Sequence, residues 1–170
     1  MCDLSLALGL LSSAIGAAGA IQQGQAQADA AEYNAKVQEN NAKIAEFKAR
    51  DAIVRGNEEQ KKQRAHTAEI AGRQRAAMAA NNIDVTYGSA LDAAVDTAML
   101  GELDALTIRS NSYREAYDHR VDATNERAGA ELSRMEARNA RTAGFLNAAG
   151  TLVGGFSNAY SSYRKSTAFV

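Results

Sequence analysis

The sequence predicts an all-α fold: a long helical hairpin with a coiled-coil-like first arm, flanked by two apolar helices of small residues, in an oligomeric ring. The 170-residue chain has no proline, which would break helices, and it is rich in alanine, the residue with the highest helix propensity. Apolar side chains recur every three or four residues through most of the chain, which is the helical period. Because alanine buries little apolar area, we expect these helices to gain burial from neighbouring copies or partners.

Net charge and cysteine content exclude several classes of protein. The formal net charge of −1 argues against a general nucleic-acid binder, and no sequence-specific contact with nucleic acid is expected. The single cysteine, Cys2, excludes an internal disulfide framework and a cysteine-rich zinc site. Cys2 is expected to be an inert terminal thiol, with acylation or a disulfide between chains as the alternatives.

Charge divides the chain into three predicted segments. Residues 1–28 contain one charged side chain and residues 143–170 contain two, whereas every other acid and base lies in residues 29–142. We therefore expect an apolar N-terminal segment that contacts a membrane or is buried in an oligomer, a charged helical hairpin, and an apolar C-terminal segment rich in glycine and alanine.

The two apolar ends have the length of a membrane span. Residues 4–21 contain no charged side chain and, as a helix, would be roughly 27 Å long, close to the ~30 Å hydrocarbon core of a bilayer. Small residues in both ends would let helices approach closely. The residues expected to contact a membrane or other copies here are Leu4, Leu8, Leu11, Ile15, Gly16, Gly19, Phe145, Leu146, Gly150, Leu152, Gly154 and Phe156.

These apolar ends have two alternative interpretations. Ala18-Gly19-Ala20 has the form of a signal-peptidase site, but the residues before it lack a basic side chain and include Asp3, which argues against a signal peptide. Burial of both ends within a soluble oligomer stays open, because Asn147 and Asn158 interrupt the second end.

The first arm of the hairpin begins with a heptad repeat. Residues 33–39, 40–46 and 47–53 align position by position, which predicts a coiled-coil-like stripe. Asn40 is a polar residue within this stripe, and such a residue can fix register and oligomeric state. Residues 56–75 are very polar and are expected to form a helix that is solvated or covered by a partner. The predicted oligomer contacts in the stripe are Tyr33, Val37, Ile44 and Phe47.

A turn near residues 81–89 is predicted to separate the two arms. Asn81 and Asn82 can adopt the left-handed conformation that ends a helix, so the first arm should stop near Ala80. A second helix should follow from residue 90 to about 141. Its apolar stripe comprises Leu91, Val95, Met99, Leu103, Leu106, Tyr113, Tyr117, Val121, Ala128, Leu132 and Met135.

The sequence carries no catalytic or metal-binding motif, so we expect a protein that is not an enzyme and needs no cofactor. His66 and His119 are isolated in charged helical stretches, where a solvent-exposed histidine is expected rather than a metal ligand. The motifs of zinc proteases, phosphate-binding loops and nucleophile elbows are absent. The acids at the start of the second helix, such as Asp92 and Asp96, fit the positive end of the helix dipole better than a hydrolase site.

Three basic residues of the first arm are candidates for DNA binding. Lys61, Lys62 and Arg64 would be able to contact packaged DNA, but a solvated charged face is the favoured interpretation.

Two stretches of the sequence carry a resemblance to a known family. QRAAMAANNIDVTYGSALD (residues 74–92) and IRSNSYREAYDHRV (residues 108–121) resemble segments of the internal virion (ejection) proteins of short-tailed phages, in particular internal virion protein B. The opening Met1-Cys2, the apolar segment with the Gln/Ala-rich stretch after it, and the second apolar end are similar too.

This resemblance implies a location and partners. Such proteins belong to the internal core on the portal inside the capsid, contact the portal and other core proteins as homo-oligomers, and leave with the DNA to form a channel at the host outer membrane. A structural adaptor ring that joins portal and core without entering lipid is the alternative function. A cellular helical pore-former or coiled-coil binding protein is a third possibility, which the two specific stretches disfavour.

Overall fold

Two long helices make up the computed structural model, which describes the backbone of residues 3–167 and the side chains of residues 11–158, 160, 161 and 164. Helix α1 spans Asp3–Ala80 and helix α2 spans Gly88–Thr167, and residues 3–167 contain no strand. The all-α prediction is therefore confirmed. The apolar ends continue α1 and α2 rather than forming helices of their own, because no proline interrupts either sequence.

The turn lies where the sequence predicts it. Helix α1 ends at Ala80, and Asn82 has a φ of 54°, in the left-handed region that asparagine tolerates. The amide of Ile83 donates to the carbonyl of Met78 at 3.0 Å, which satisfies a carbonyl left free at the helix end.

A short side-chain interaction organises the rest of the turn. Asp84 accepts hydrogen bonds from the amide and the hydroxyl of Thr86, at 2.9 and 2.6 Å. Both bonds favour the ionised carboxylate and lower the pKa of Asp84. Gly88 begins α2 with a φ of 65°, so the helix starts two residues before the predicted position. A side chain at this position would be strained, because only glycine adopts this φ without cost.

The chain forms two compact units, to each of which both helices contribute. Unit 1 comprises the chain up to Asn40 and from Glu126 onward, and unit 2 comprises residues 41–125. Unit 2 contains the turn and is a helical hairpin. These two units are defined by contacts, whereas the three predicted segments are defined by charge. The boundaries of those segments therefore stay a prediction.

Each unit is held together by a seam of small residues, hereafter the small-residue seam. Its members recur three or four residues apart, as a helix interface requires, and alanine predominates among them. Fully buried large side chains are absent from the part of the chain whose side chains the structure describes. The buried alanines are Ala17, Ala28, Ala31, Ala35, Ala130, Ala137 and Ala148 in unit 1, and Ala42, Ala45, Ala49, Ala52, Ala71, Ala90, Ala105, Ala116 and Ala123 in unit 2.

Candidate assembly surfaces

The small-residue seam brings the two helices of unit 1 unusually close. A Cβ atom on Gly24 would lie 2.8 Å from the Cα of Gly144 and 2.7 Å from the carbonyl oxygen of Ala140. Ala28 and Ala31 pack on Ala137 one turn further along. Only residues with little or no side chain fit between backbones at this spacing, so the seam specifies which faces of α1 and α2 meet.

Unit 2 repeats this arrangement. Ala49 and Ala52 pack on Ala116, and Ala42 and Ala45 pack on Ala123. Glycine again occupies two positions where a side chain would collide with the facing helix. A Cβ on Gly56 would overlap the side chain of Ser112, and a Cβ on Gly101 would overlap that of Thr67.

Polar residues lie in the seam between its buried alanines. In unit 1 the hydroxyl of Ser133 donates to Oε1 of Gln38 at 3.3 Å, and in unit 2 the hydroxyl of Thr97 donates to Oε1 of Gln74 at 2.9 Å. Gln60 is only 6 % exposed, and its buried Nε2 has no acceptor among the described residues. An unsatisfied buried donor typically costs roughly 1–3 kcal/mol, so we expect Gln60 to lower the stability of unit 2.

Ion pairs flank the seam on the outside of both units. In unit 1, Arg141 donates to Glu32 at 2.8 Å and Arg134 donates to Glu39. Hydrogen bonds from Arg134 to Glu39 and Glu131 stabilise the protonated guanidinium and raise its pKa. These ion pairs are largely solvated, so they contribute little to the stability of unit 1. Their main effect is to specify which residues of the two helices lie opposite each other.

Two further ion pairs join the helices of unit 2. Arg55 donates to Glu115 at 2.8 Å, and Arg64 donates to both carboxylate oxygens of Glu102. The hydrogen bonds from Arg64 lower the pKa of Glu102, and the same contact raises the pKa of Arg64.

A groove in unit 1 lies beside this seam. It has a volume of about 290 Å³ and is open to solvent. Its two glutamates, Glu32 and Glu39, form ion pairs with Arg141 and Arg134 of α2. The lining residues are Glu32, Ala35, Lys36, Glu39, Arg134 and Arg138.

The two histidines lie apart from any metal-binding cluster. His66 is exposed, 3.9 Å from Glu69, and half-buried His119 lies 3.7 Å from Asp122 and 3.9 Å from Glu115. Groups of three or more potential metal ligands are absent from the described part of the chain.

The large apolar side chains point away from the seam. Phe47 is 70 % exposed and Tyr117 is 66 % exposed, although an average globular domain would bury such residues. The predicted coiled-coil stripe therefore does not join α1 to α2, and it is free to contact other molecules. Its exposed members are Tyr33, Val37, Ile44, Phe47 and Val54, and those of the second stripe include Leu91, Val95, Met99, Leu103, Leu106, Tyr113, Tyr117, Val121, Leu132 and Met135.

The predicted contact residues of the apolar ends lie in the outer portions of α1 and α2. Of these, the structure describes as exposed Leu11, Ile15, Gly16, Gly19, Phe145, Leu146, Gly150, Leu152, Gly154 and Phe156. Leu4 and Leu8 belong to α1, but their side chains lie outside the described part, as does Cys2 altogether. Within the described residues, neither helix offers a stretch apolar and long enough to span a bilayer.

The seam itself was not predicted from the sequence. Its signal is nevertheless present, because Ala28, Ala35, Ala42 and Ala49 recur every seven residues in α1, and Ala116, Ala123, Ala130 and Ala137 do so in α2.

A match to a known family identifies the class of protein. A sequence profile of a phage structural family matches nearly the whole chain, which is therefore an internal virion protein of a short-tailed phage. The match covers residues 1–169, and the chain belongs to the T7 virus internal virion protein gp14 family. Membership locates the protein in the phage particle and confirms the resemblance noted in the sequence. Neither the curated proteins nor the solved structures provide a match.

Proposed function

We propose that this chain is a non-enzymatic component of the internal core, stored at the portal and ejected with the DNA to help form a channel across the host envelope. The observation that carries the proposal is the family match over residues 1–169. A core protein of this kind would assemble as a homo-oligomer with the portal and other core proteins, and would meet the host outer membrane after ejection.

The packing supports a protein that changes its surroundings. The α1–α2 contacts use alanine and glycine, while Phe47, Tyr117 and Phe156 stay exposed. Exposed large apolar side chains are typical of surfaces that contact other proteins or lipid. Contacts between α1 and α2 do not use these side chains, so the same surfaces are available first in the virion and later at the envelope.

Release of dye from vesicles of outer-membrane lipid tests the channel. Full-length protein should release the dye, and a variant lacking residues 1–28 should not. A charge in the apolar end, Ile15→Asp, should also prevent release, whereas Tyr87→Asp in the exposed turn should leave it unchanged. Intact vesicles with all four proteins would contradict the channel.

The composition of virions tests storage and ejection separately. Mass spectrometry of purified particles should detect the chain in full virions and lose it from particles that have ejected their DNA. Retention in emptied particles would favour the alternative, a structural adaptor between portal and core. Asn147 and Asn158 in the apolar C-terminal end support that alternative, since amides are costly to bury in lipid.

A further inference from the structure

Unit 2 exposes an apolar face on each of its two helices. The α1 outer face comprises Ile44, Phe47 and Val54, and the α2 outer face comprises Val95, Met99, Leu103, Tyr117 and Val121. Each of these side chains is at least 39 % exposed, so contacts within the unit leave both faces largely uncovered.

Helical periodicity places these two faces on opposite sides of the unit. Phe47 and Val54 are each two residues from a buried alanine, Ala45 or Ala52, and two residues correspond to about 200° around an α-helix. On α2, Val121 is likewise two residues from buried Ala123. Each outer face therefore points away from the seam, and from the other helix.

The two helices of unit 2 carry opposite charge. Residues 41–80 contain nine basic and five acidic side chains, a net charge of +4, and residues 88–125 contain three basic and seven acidic side chains, a net charge of −4. The pairs Arg55–Glu115 and Arg64–Glu102 use two charges of each sign. The remaining excess is still +2 on α1 and −2 on α2.

We propose that the partner of unit 2 is a second copy of the chain, which packs its α2 outer face on the α1 outer face of the first. This contact brings a helix segment of net positive charge in one copy against a segment of net negative charge in the next. A contact between two α1 faces would instead bring together two segments of like net charge, as would one between two α2 faces. Electrostatic complementarity of this kind selects the partner and its orientation.

The consequence is a head-to-tail assembly. Because each copy uses two different faces, the association is heterologous, and repetition of the same contact closes a ring or extends into a filament. A symmetric dimer would instead leave one apolar face of each copy exposed. The inference rests on the proposed function as a core component, and it names the surface and the polarity of the self-association.

Two full-length variants test the polarity. Ile44→Glu with Phe47→Glu blocks the α1 outer face, and Tyr117→Glu with Val121→Glu blocks the α2 outer face. All four side chains are exposed, so circular dichroism should show unchanged helicity. Sedimentation velocity should find each variant monomeric where the wild type is oligomeric, with association weakened at least about 30-fold, as for loss of a dominant contact.

The decisive sample is an equimolar mixture of the two variants. Each retains the face that the other lacks, so the mixture should form a 1:1 dimer and nothing larger. A matched control, Ile83→Glu with Tyr87→Glu, replaces two exposed apolar residues of the turn and should assemble like the wild type.

Several results would overturn the inference: a monomeric wild type, homodimers of either variant, or a mixture that stays monomeric. These results are independent of the vesicle assay. Rings that form through this contact but leave vesicles sealed would contradict the channel alone, whereas leakage by variants that assemble normally would contradict the inference alone.

Discussion

At the scale of single residues, the glycines of the seam determine how closely the two helices pack. Gly24 and Gly144 let two backbones meet at a distance where one added methyl group would be 2.8 Å from the facing Cα. Glycine destabilises a helix by about 1 kcal/mol relative to alanine. Each seam glycine therefore lowers the stability of its own helix but allows the two helices to pack closely. Glycines elsewhere in the same helices carry that cost without the packing gain.

Substitution of a seam glycine should therefore have the opposite sign to substitution of an exposed one. A methyl group on Gly56 would overlap Ser112, whereas one on Gly72 meets nothing within 4 Å. Overpacking typically costs about 1–3 kcal/mol, against a propensity gain of about 1 kcal/mol. We expect Gly56→Ala to lower the free energy of unfolding by about 1 kcal/mol and Gly72→Ala to raise it by about as much, in urea titrations. Stabilisation by both substitutions would contradict the seam.

Gln60 offers a second prediction at this scale. Its buried Nε2 lacks an acceptor, and methionine has a similar shape and flexibility without the polar donor. Gln60→Met should raise the free energy of unfolding by about 1 kcal/mol, because it removes an unsatisfied group without opening a cavity. The same change at Gln63, whose Nε2 donates to Asp104 at 3.5 Å and is partly solvated, is the control and should give little or no gain. Equal gains would assign the effect to helix propensity instead.

At the scale of helices, the sequence predicted the elements but not the faces that pair. Absence of proline and the Asn81-Asn82 pair sufficed to predict two arms and the turn between them, and α1 ends at Ala80 as expected. The start of α2 was less well predicted, because a helix beginning at a glycine with positive φ has no distinctive side chain to mark it.

The pairing of faces escaped prediction for a physical reason. Large apolar residues normally mark the buried side of a helix, but the stripe with Tyr33 and Phe47 was predicted to contact other copies and did not indicate which faces of α1 and α2 meet. In this chain the interface is built from alanine, which also occurs widely on the exposed surface and so gives a weak contrast. A seven-residue repeat of alanine in both helices was the usable signal. The predicted role of the exposed stripe in assembly stays a prediction, because it concerns contacts between chains.

The ion pair between Arg64 and Glu102 predicts how hairpin stability responds to acid. Because hydrogen bonds lower the folded-state pKa of Glu102 below its usual 4.5, its contribution is present above that pH and is lost as the pH falls through the folded-state pKa. Glu102→Gln should lose less stability than the wild type between pH 7 and pH 3, measured as the urea midpoint. The effect should be small, because both side chains are about half exposed.

Glu59→Gln is the matched control for this measurement. Glu59 is an exposed glutamate of unit 2 with no ion pair among those described. Its replacement should leave the acid response of the wild type unchanged. An identical acid response of Glu102→Gln and Glu59→Gln would show that the Arg64–Glu102 ion pair does not stabilise the protein in solution.

At the scale of the whole molecule, the distribution of apolar residues determines where stability comes from. Buried alanines contribute little area, and the large side chains that normally stabilise a domain of this size are exposed. A single copy therefore has a thin core, and association that covers the exposed faces should supply much of the missing stabilisation. Such a protein would be marginally stable alone and robust in an assembly.

This distribution predicts that stability depends on concentration. Binding between folded copies stabilises them by mass action, so the thermal midpoint of the wild type should rise by roughly 3 °C or more for each tenfold increase in protein concentration. The variant with Ile44→Glu and Phe47→Glu should unfold at one temperature throughout, near that of the most dilute wild type, because it cannot cover its α1 outer face. Calorimetry or circular dichroism over a hundredfold range of concentration measures both curves. A wild-type midpoint that stays constant would mean that the alanine seam alone stabilises the fold, and that the exposed apolar faces await a partner other than this chain.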